Sequence, residues 1–156
     1  MSFFVHTLEY KGGPVTSDIS PRNYKATDYN QYKYKYENSF YPMRNMLGLP
    51  RECCKTSDEL LKNRDNIFVL EENGEIIGSV AIYSNEIDDL FVANEYQQKG
   101  VGLKLLRYAL AFMQKKNEDR IIIHVAGVNK YALLMYLKAG FEILGTEEIY
   151  IWIYTY

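Results

Sequence analysis

A chain of 156 residues suits one domain built around one core. Its 47% hydrophobic and 24% charged residues are ordinary for a globular protein, and a formal charge of −2 gives no broad pull towards nucleic acid or an anionic membrane. No apolar run reaches the roughly 18 residues of a membrane span, and MSFFVHTLEY lacks the basic start and apolar core of a signal peptide, so a cytoplasmic protein is expected.

FFVHTLEY (3–10) reads as an opening strand, closed by the turn KGGP. Ser20-Pro21 reads as a helix start, with serine as cap and proline in the first turn. Six of the 15 tyrosines lie between residues 24 and 41. Tyr29, Tyr32, Tyr36 and Phe40 recur at helical spacing, which predicts one aromatic face on a helix limited by Pro42. Aromatic residues at this spacing read as core packing. The adjacent Cys53 and Cys54 read as partly buried thiols in a reducing compartment, because neighbouring cysteines rarely bridge with good geometry. Thr56 with Glu59 predicts a capping box ahead of a short helix ending near Asn63.

IFVLEENGEIIGSVAIY (67–83) holds two β-rich runs around Asn73-Gly74, a strong hairpin signal. Ser84-Asn85 makes a second turn into a third strand, EIDDLFV (86–92). A helix from Gly100 to about Lys116 places Gly102, Leu105, Leu106, Ala109, Leu110 and Met113 on one face. RIIIHV (120–125) has the apolar, β-branched character of a strand buried on both faces. Strand, helix and strand of this size form a crossover, so 86–92 and 120–125 are expected to run parallel. Asn129 caps a last helix, 130–139; Gly140 takes the left-handed position after it, and Phe141 folds back onto Tyr136. Two closing strands, EILG and IYIWIY, are expected. The second is bulky on both faces and belongs either inside the sheet or in a homodimer contact.

The stretch QQKGVG (97–102) sets two glycines at a helix start. Free N–H groups and partial positive charge gather there, and without a Cβ a phosphate can come close. Lys99, Lys104 or Arg107 can screen its charge. The third glycine of a dinucleotide fingerprint is replaced by Leu105, and no Walker sequence is present. Tight packing explains a bare GxG equally well.

Gln97-Gln98-Lys99-Gly100-Val101-Gly102 resembles the Q/R-x-x-G-x-G/A signature of the GNAT superfamily of acetyl-CoA-dependent N-acetyltransferases. NKYALLMYLKAGF (129–141) resembles that family's later N-x-x-A-x-x-x-Y-x-x-x-G-F pattern. The resemblance implies one α+β domain over 1–156: a mixed, mostly antiparallel twisted sheet of about seven strands, with about four helices. A parallel strand pair splays around the cofactor. It implies acceptor-side helices in 1–66, where Tyr29, Tyr32, Tyr36 and Tyr41 would line a pocket for an amine cation, and a cofactor-binding core in 67–156. Gln97, Gln98, Lys99, Gly100, Val101, Gly102 and Leu103 would hold the pyrophosphate of acetyl-CoA. Phe91 and Val92 would pair with its pantetheine arm, and Asn129 and Tyr136 would complete the cofactor site. No metal is implied.

Acetyl transfer to an amine needs a proton acceptor, since an alkyl ammonium with a pKa of about 10.4 is not nucleophilic. Glu86, at the strand start where the resemblance implies a catalytic glutamate, is the candidate base, acting through water, with Asp88 and Asp89 as rivals; strict alternation sets Asp89 on the opposite face from the other two. Tyr136, at the tyrosine of the family's last-helix pattern, is the candidate acid for the departing thiolate. His124, inside an apolar strand, reads as a satisfied core or cleft histidine. The function expected is an N-acetyltransferase that uses a ternary complex and takes a small-molecule or peptide amine. The alternative is a non-catalytic acyl-CoA-binding or sensing domain. The Tyr- and Lys-rich KATDYNQYKYKY could stack nucleic-acid bases, but the net charge and the lack of an RNA-binding motif oppose it.

Overall fold

The computed structural model describes residues 1–151. Seven strands are formed: β1 (Ser2–Tyr10), β2 (Arg22–Asn23), β3 (Ile67–Glu72), β4 (Glu75–Tyr83), β5 (Glu86–Val92), β6 (Ile122–Ala126) and β7 (Phe141–Tyr150). Four α-helices accompany them: α1 (Tyr29–Met46), α2 (Ser57–Lys62), α3 (Val101–Lys115) and α4 (Lys130–Ala139). The strands make one sheet in the order β2-β3-β4-β5-β6-β1-β7. The β5–β6 pair is parallel and the other pairs are antiparallel, as the crossover through α3 requires. The N-terminal strand thus sits in the carboxyl-terminal half of the sheet, between β6 and β7.

Two cores form, one on each side of the sheet. Leu105, Leu106, Ala109, Leu110 and Met113 of α3 pack with Leu8, Val80, Ile82, Ile87 and Ile123. Each buried leucine contributes about 1.5–3 kcal/mol relative to exposure. On the other side Tyr32 of α1 and Leu60 of α2 join Ile67, Val69, Ile76 and Phe91. The segment between β1 and β2 straps across α3. Val15 donates its N–H to Gln114 Oε1 (2.9 Å), Gln114 Nε2 donates to the Gly13 carbonyl (3.1 Å), and Val15 and Ile19 pack on the core. No helix of the described residues is long and apolar enough to cross a membrane.

Local signals explain most boundaries. Asn73 (φ +52°) and Gly74 (φ +79°) both take left-handed conformations, the geometry a two-residue hairpin needs. The Thr56–Glu59 capping box forms, and α2 ends before Asn63. Asn129 Oδ1 accepts the Ala132 N–H at 3.3 Å, α4 runs 130–139, and Gly140 closes it at φ +114°.

Four expectations change. Ser20-Pro21 does not open a helix: Arg22 and Asn23 pair with Val69 and Phe68 instead, and the Asn23 amide donates to the carbonyls of Arg64, Asp65 and Ile67. Pro42 does not end α1, which continues to Met46. Pro42 lies on the exposed side, where the lost donor faces water. The two expected closing strands are, over the described residues, one strand. Thr7 faces Gly145 and Leu8 faces Ile143, so Leu144 is an extra residue in a bulge, and the Gly145 break is absorbed without a turn. Residues 152–156, which include part of the bulky IYIWIY run, lie outside the described residues. Finally, β6 is buried at Ile122, Ile123 and Val125 but exposed at His124, so it is not covered on both faces along its length.

Candidate active site

The glycine-rich turn carries a run of unpaired donors. Gly100 is the residue before α3 and adopts φ +81°, and Gln98 adopts φ +60°. No side chain caps this helix, and its first backbone bond is Lys104 N–H to the Gly100 carbonyl at 3.1 Å. The N–H groups of residues 98–103 donate to no described residue. Exposed donors at the positive end of a 15-residue helix form an anion site.

The two glycines do different work. Nothing lies within 4 Å of a Cβ built on Gly100, so the approach is open and the residue is needed for its left-handed backbone. A Cβ on Gly102 would meet Met135 Sδ at 3.5 Å and Val92 Cγ2 at 3.6 Å, ordinary contact distances, so this position touches α4 and the end of β5 without requiring glycine for space. The Gln97 side chain ties the turn to the strand by donating to the Val92 carbonyl (3.1 Å) and Asn94 Oδ1 (3.2 Å). Lys99 rests 5.5 Å from the Tyr96 ring centroid. Lys104 and Leu103 are exposed, and Val101 is half-buried against the core. Arg107, expected to screen phosphate, instead donates to the Thr16 carbonyl of the strap at 3.3 Å.

The parallel pair opens beside this turn. β5 and β6 are in register only at Glu86–Ile122 and Ile87–Ile123, so from Asp88 onwards the β6-facing edge of β5 has no strand partner. Phe91 is 2% exposed, packs its ring on Tyr32 (5.2 Å) and Tyr36 (5.4 Å), and pairs with Ser79 of β4. Tyr32, Tyr36 and Phe40 are therefore core, while Tyr41 stands at the surface under Arg51, 4.2 Å from its ring centroid.

A bulge breaks the alternation of β5. Ala81 faces Asp88 and Ser79 faces Phe91, so Val80 lies opposite two residues, Asp89 and Leu90. Asp89 adopts φ +47° and is not turned away as alternation predicts. It reaches the α1 side, accepting from Tyr36 Oη at 2.7 Å and from Lys55 Nζ at 3.3 Å. Desolvation, then the Asp89 charge, hold Asp88 above the usual carboxylate range. Tyr36 is pushed up by burial and by Asp89.

Glu86 is not alone. Its Oε1 lies 3.4 Å from His124 Nε2, and His124 Nδ1 lies 3.0 Å from Thr7 Oγ1. The two side chains are about half exposed, at 48% and 47%. His124 is satisfied, as expected, but by a carboxylate on an open face. Its alignment with Glu86 follows from the β5–β6 register, which places His124 two residues past Ile122 on the same face. No local sequence signal carries that register.

Tyr136 of α4 is 5% exposed, with its ring 5.9 Å from Phe141. Burial, with a smaller contribution from Asp88, raises its pKa well above that of a free phenol, so it keeps its proton at neutral pH. Asn129 is committed to its helix cap through Oδ1, which leaves its side-chain NH₂ as the group to reach a ligand. Among the described residues no group of three or more His, Cys, Asp or Glu is placed to hold a metal ion.

Comparison with known proteins decides the family. The profile of the Acetyltransferase (GNAT) family matches residues 28–141. The chain belongs to this family. An uncharacterized N-acetyltransferase of Methanocaldococcus jannaschii is 29% identical over 92 residues, which are 52% of this chain and 41% of that protein. The chain therefore spans less than half the length of that relative. A GNAT-family acetyltransferase from Novosphingobium aromaticivorans superposes with a TM-score of 0.70 at 16% identity, covering 95% of this chain and 63% of its own. The PaiA N-acetyltransferase of Thermoplasma acidophilum, solved in complex with coenzyme A, gives 0.61 at 18% identity over 78% of this chain and 87% of its own. These structural likenesses establish the GNAT fold with its splayed parallel pair.

Proposed function

We propose that this GNAT protein is an N-acetyltransferase that moves an acetyl group from acetyl-CoA to a primary amine while both are bound. The observation that carries the reading is the run of unpaired main-chain donors at residues 98–103, set beside the opening between β5 and β6. These amides fit a diphosphate, and the exposed main chain after Asp88 fits an extended amide-bearing arm. Bound acetyl-CoA supplies an activated thioester.

The chain's own groups would do the rest. Gln98, Lys99, Gly100, Val101, Gly102 and Leu103 present N–H groups to the diphosphate. Gln97 holds the turn against Val92, Phe91 and Val92 offer main chain, and Asn129 offers its side-chain NH₂. Glu86, hydrogen-bonded to His124, accepts the proton that the amine must lose, directly or through water. Tyr136, kept protonated by burial, would give a proton to the departing sulfur.

A screen of CoA release from acetyl-CoA against amines, amino acids and peptides tests this. Turnover with at least one acceptor class is expected. CoA binding without transfer to any acceptor would leave an acyl-CoA-binding or sensing domain, and absence of CoA binding would remove both readings.

A further inference from the structure

One lysine is held against β5 on the α1 side of the sheet. Lys55 Nζ lies 3.3 Å from Asp89 Oδ2, 3.5 Å from Tyr83 Oη and 4.9 Å from the Tyr83 ring centroid. The other Asp89 oxygen is taken by Tyr36. Tyr83 faces Glu86 across the β4–β5 pair, and Ala81 faces Asp88. Residues directly opposite in an antiparallel pair share a face. The caged ammonium therefore borders the same sheet face as Glu86 and Asp88, at the level where β5 leaves β6.

This lysine is also held from its backbone. Glu37 Oε2 accepts the N–H groups of Cys53 (3.0 Å) and Cys54 (3.1 Å) immediately before it. Thr56, immediately after it, is the cap of α2 and is locked in the capping box with Glu59. Its side chain is 37% exposed and that of Asp89 15%. Desolvation works against the Lys55 charge, but Asp89 and Tyr83 outweigh it and keep the amine protonated.

We propose that Lys55 is a selector of acceptor charge: it fills the cation site formed by Asp89 and Tyr83 beside the acceptor mouth, so that a single-ammonium amine is taken and a second ammonium nearby is rejected. Glu86 and Asp88 attract the reacting ammonium. Lys55, on the same face, already occupies the Asp89 carboxylate, so a second acceptor ammonium finds no free anion there and meets a like charge, whereas a neutral or anionic acceptor group does not. The favoured class is then amines that carry a carbonyl or carboxylate, and the disfavoured class is diamines and polyamines. This rests on the amine-acetylating reading above.

The test compares two probes of equal length, 1-aminopentane and 1,5-diaminopentane, on the parent protein, Lys55→Met and Lys55→Arg. The ratio of diamine to monoamine kcat/KM is expected to rise about tenfold in Lys55→Met and to stay at the parent value in Lys55→Arg. Because both amines are measured on each variant, partial loss of folded protein cancels from the ratio. An unchanged ratio in Lys55→Met overturns the selector. Binding of the same amines to the CoA-loaded protein, followed by NMR shift titration, reads the same ratio without chemistry. Selective binding with no transfer would count against acetylation alone, whereas equal binding ratios, or no binding of either amine, would overturn the selector.

Discussion

Replacing Tyr136 by Phe removes one hydroxyl and leaves a ring that is 5% exposed and packed 5.9 Å from Phe141. The Tyr136 hydroxyl makes no hydrogen bond to another described residue, so the fold loses little, and a change within about 1 kcal/mol is expected. In a chain of this size that shifts Tm by roughly 2–4 °C at most. Tyr136→Ala is different in kind, since it empties a ring-sized volume at the α4–sheet contact and should cost about 3–5 kcal/mol. If the hydroxyl supplies the proton taken by the departing sulfur, Tyr136→Phe lowers kcat on the order of a hundredfold, equivalent to ~3 kcal/mol of barrier. CoA affinity should change by less than about twofold, because the diphosphate contacts proposed above lie at residues 98–103. The assay is CoA release at saturating acetyl-CoA with the best acceptor from the amine screen, beside calorimetric binding of CoA and a melting curve. A Tyr136→Phe protein with parental kcat would refute the role of the phenol, and an equal loss of CoA affinity would show the residue to be a binding group.

Gly100→Ala meets no neighbour but must hold φ +81°, so it should lose about 1–2 kcal/mol of stability, and CoA affinity should fall further because the loop's donors move; an unaltered CoA affinity in calorimetry would contradict this. Leu106→Ala, at 0% exposure in the α3 core, should cost about 2–5 kcal/mol in urea unfolding, and a loss under 1 kcal/mol would mean that α3 does not anchor that layer. Glu86→Gln and His124→Ala should each lower kcat on the order of tenfold or more with little change in CoA binding, and their double variant should lose less than the product of the two. Strict multiplication would show that the two act independently. Burial, aided by the Glu37 charge, pushes the Cys54 thiol up to about 12 from an ordinary 9.0. At pH 8 the thiolate is then on the order of a thousandfold scarcer than in a free thiol. Mass spectrometry after brief iodoacetamide treatment should find Cys54 largely unmodified, and labelling as fast as that of a small thiol would show it exposed and ionised.

Legibility in the sequence followed the range of the interaction. The Asn73-Gly74 hairpin, the Thr56 and Asn129 caps, the left-handed Gly140 and the glycine turn before α3 are set by residues within a few positions of one another, and each formed where it was read. Pairing across long separations was not legible. Nothing near residues 2–10 says that this strand inserts between β6 and β7, because its partners lie more than a hundred residues away. The same holds for the Glu86–His124 contact, which depends on the β5–β6 register, and for the left-handed bulge at Asp89, which a strand of ordinary alternation conceals. The Tyr36–Asp89–Lys55 group joins three segments that only the packing of α1 and α2 on the sheet brings together. Pro42 stays inside α1, against the sequence expectation, because the rule against proline in helices weakens where its ring and the lost donor face water.

Amide-resolved NMR on the isotope-labelled protein tests the anchoring role of the α3 start most directly. Titration with coenzyme A should move the amide resonances of residues 98–103 together, and titration with pantetheine, which has the arm but no phosphates, should leave them in place. Coenzyme A binding that perturbs other regions while those six amides stay still would contradict the account.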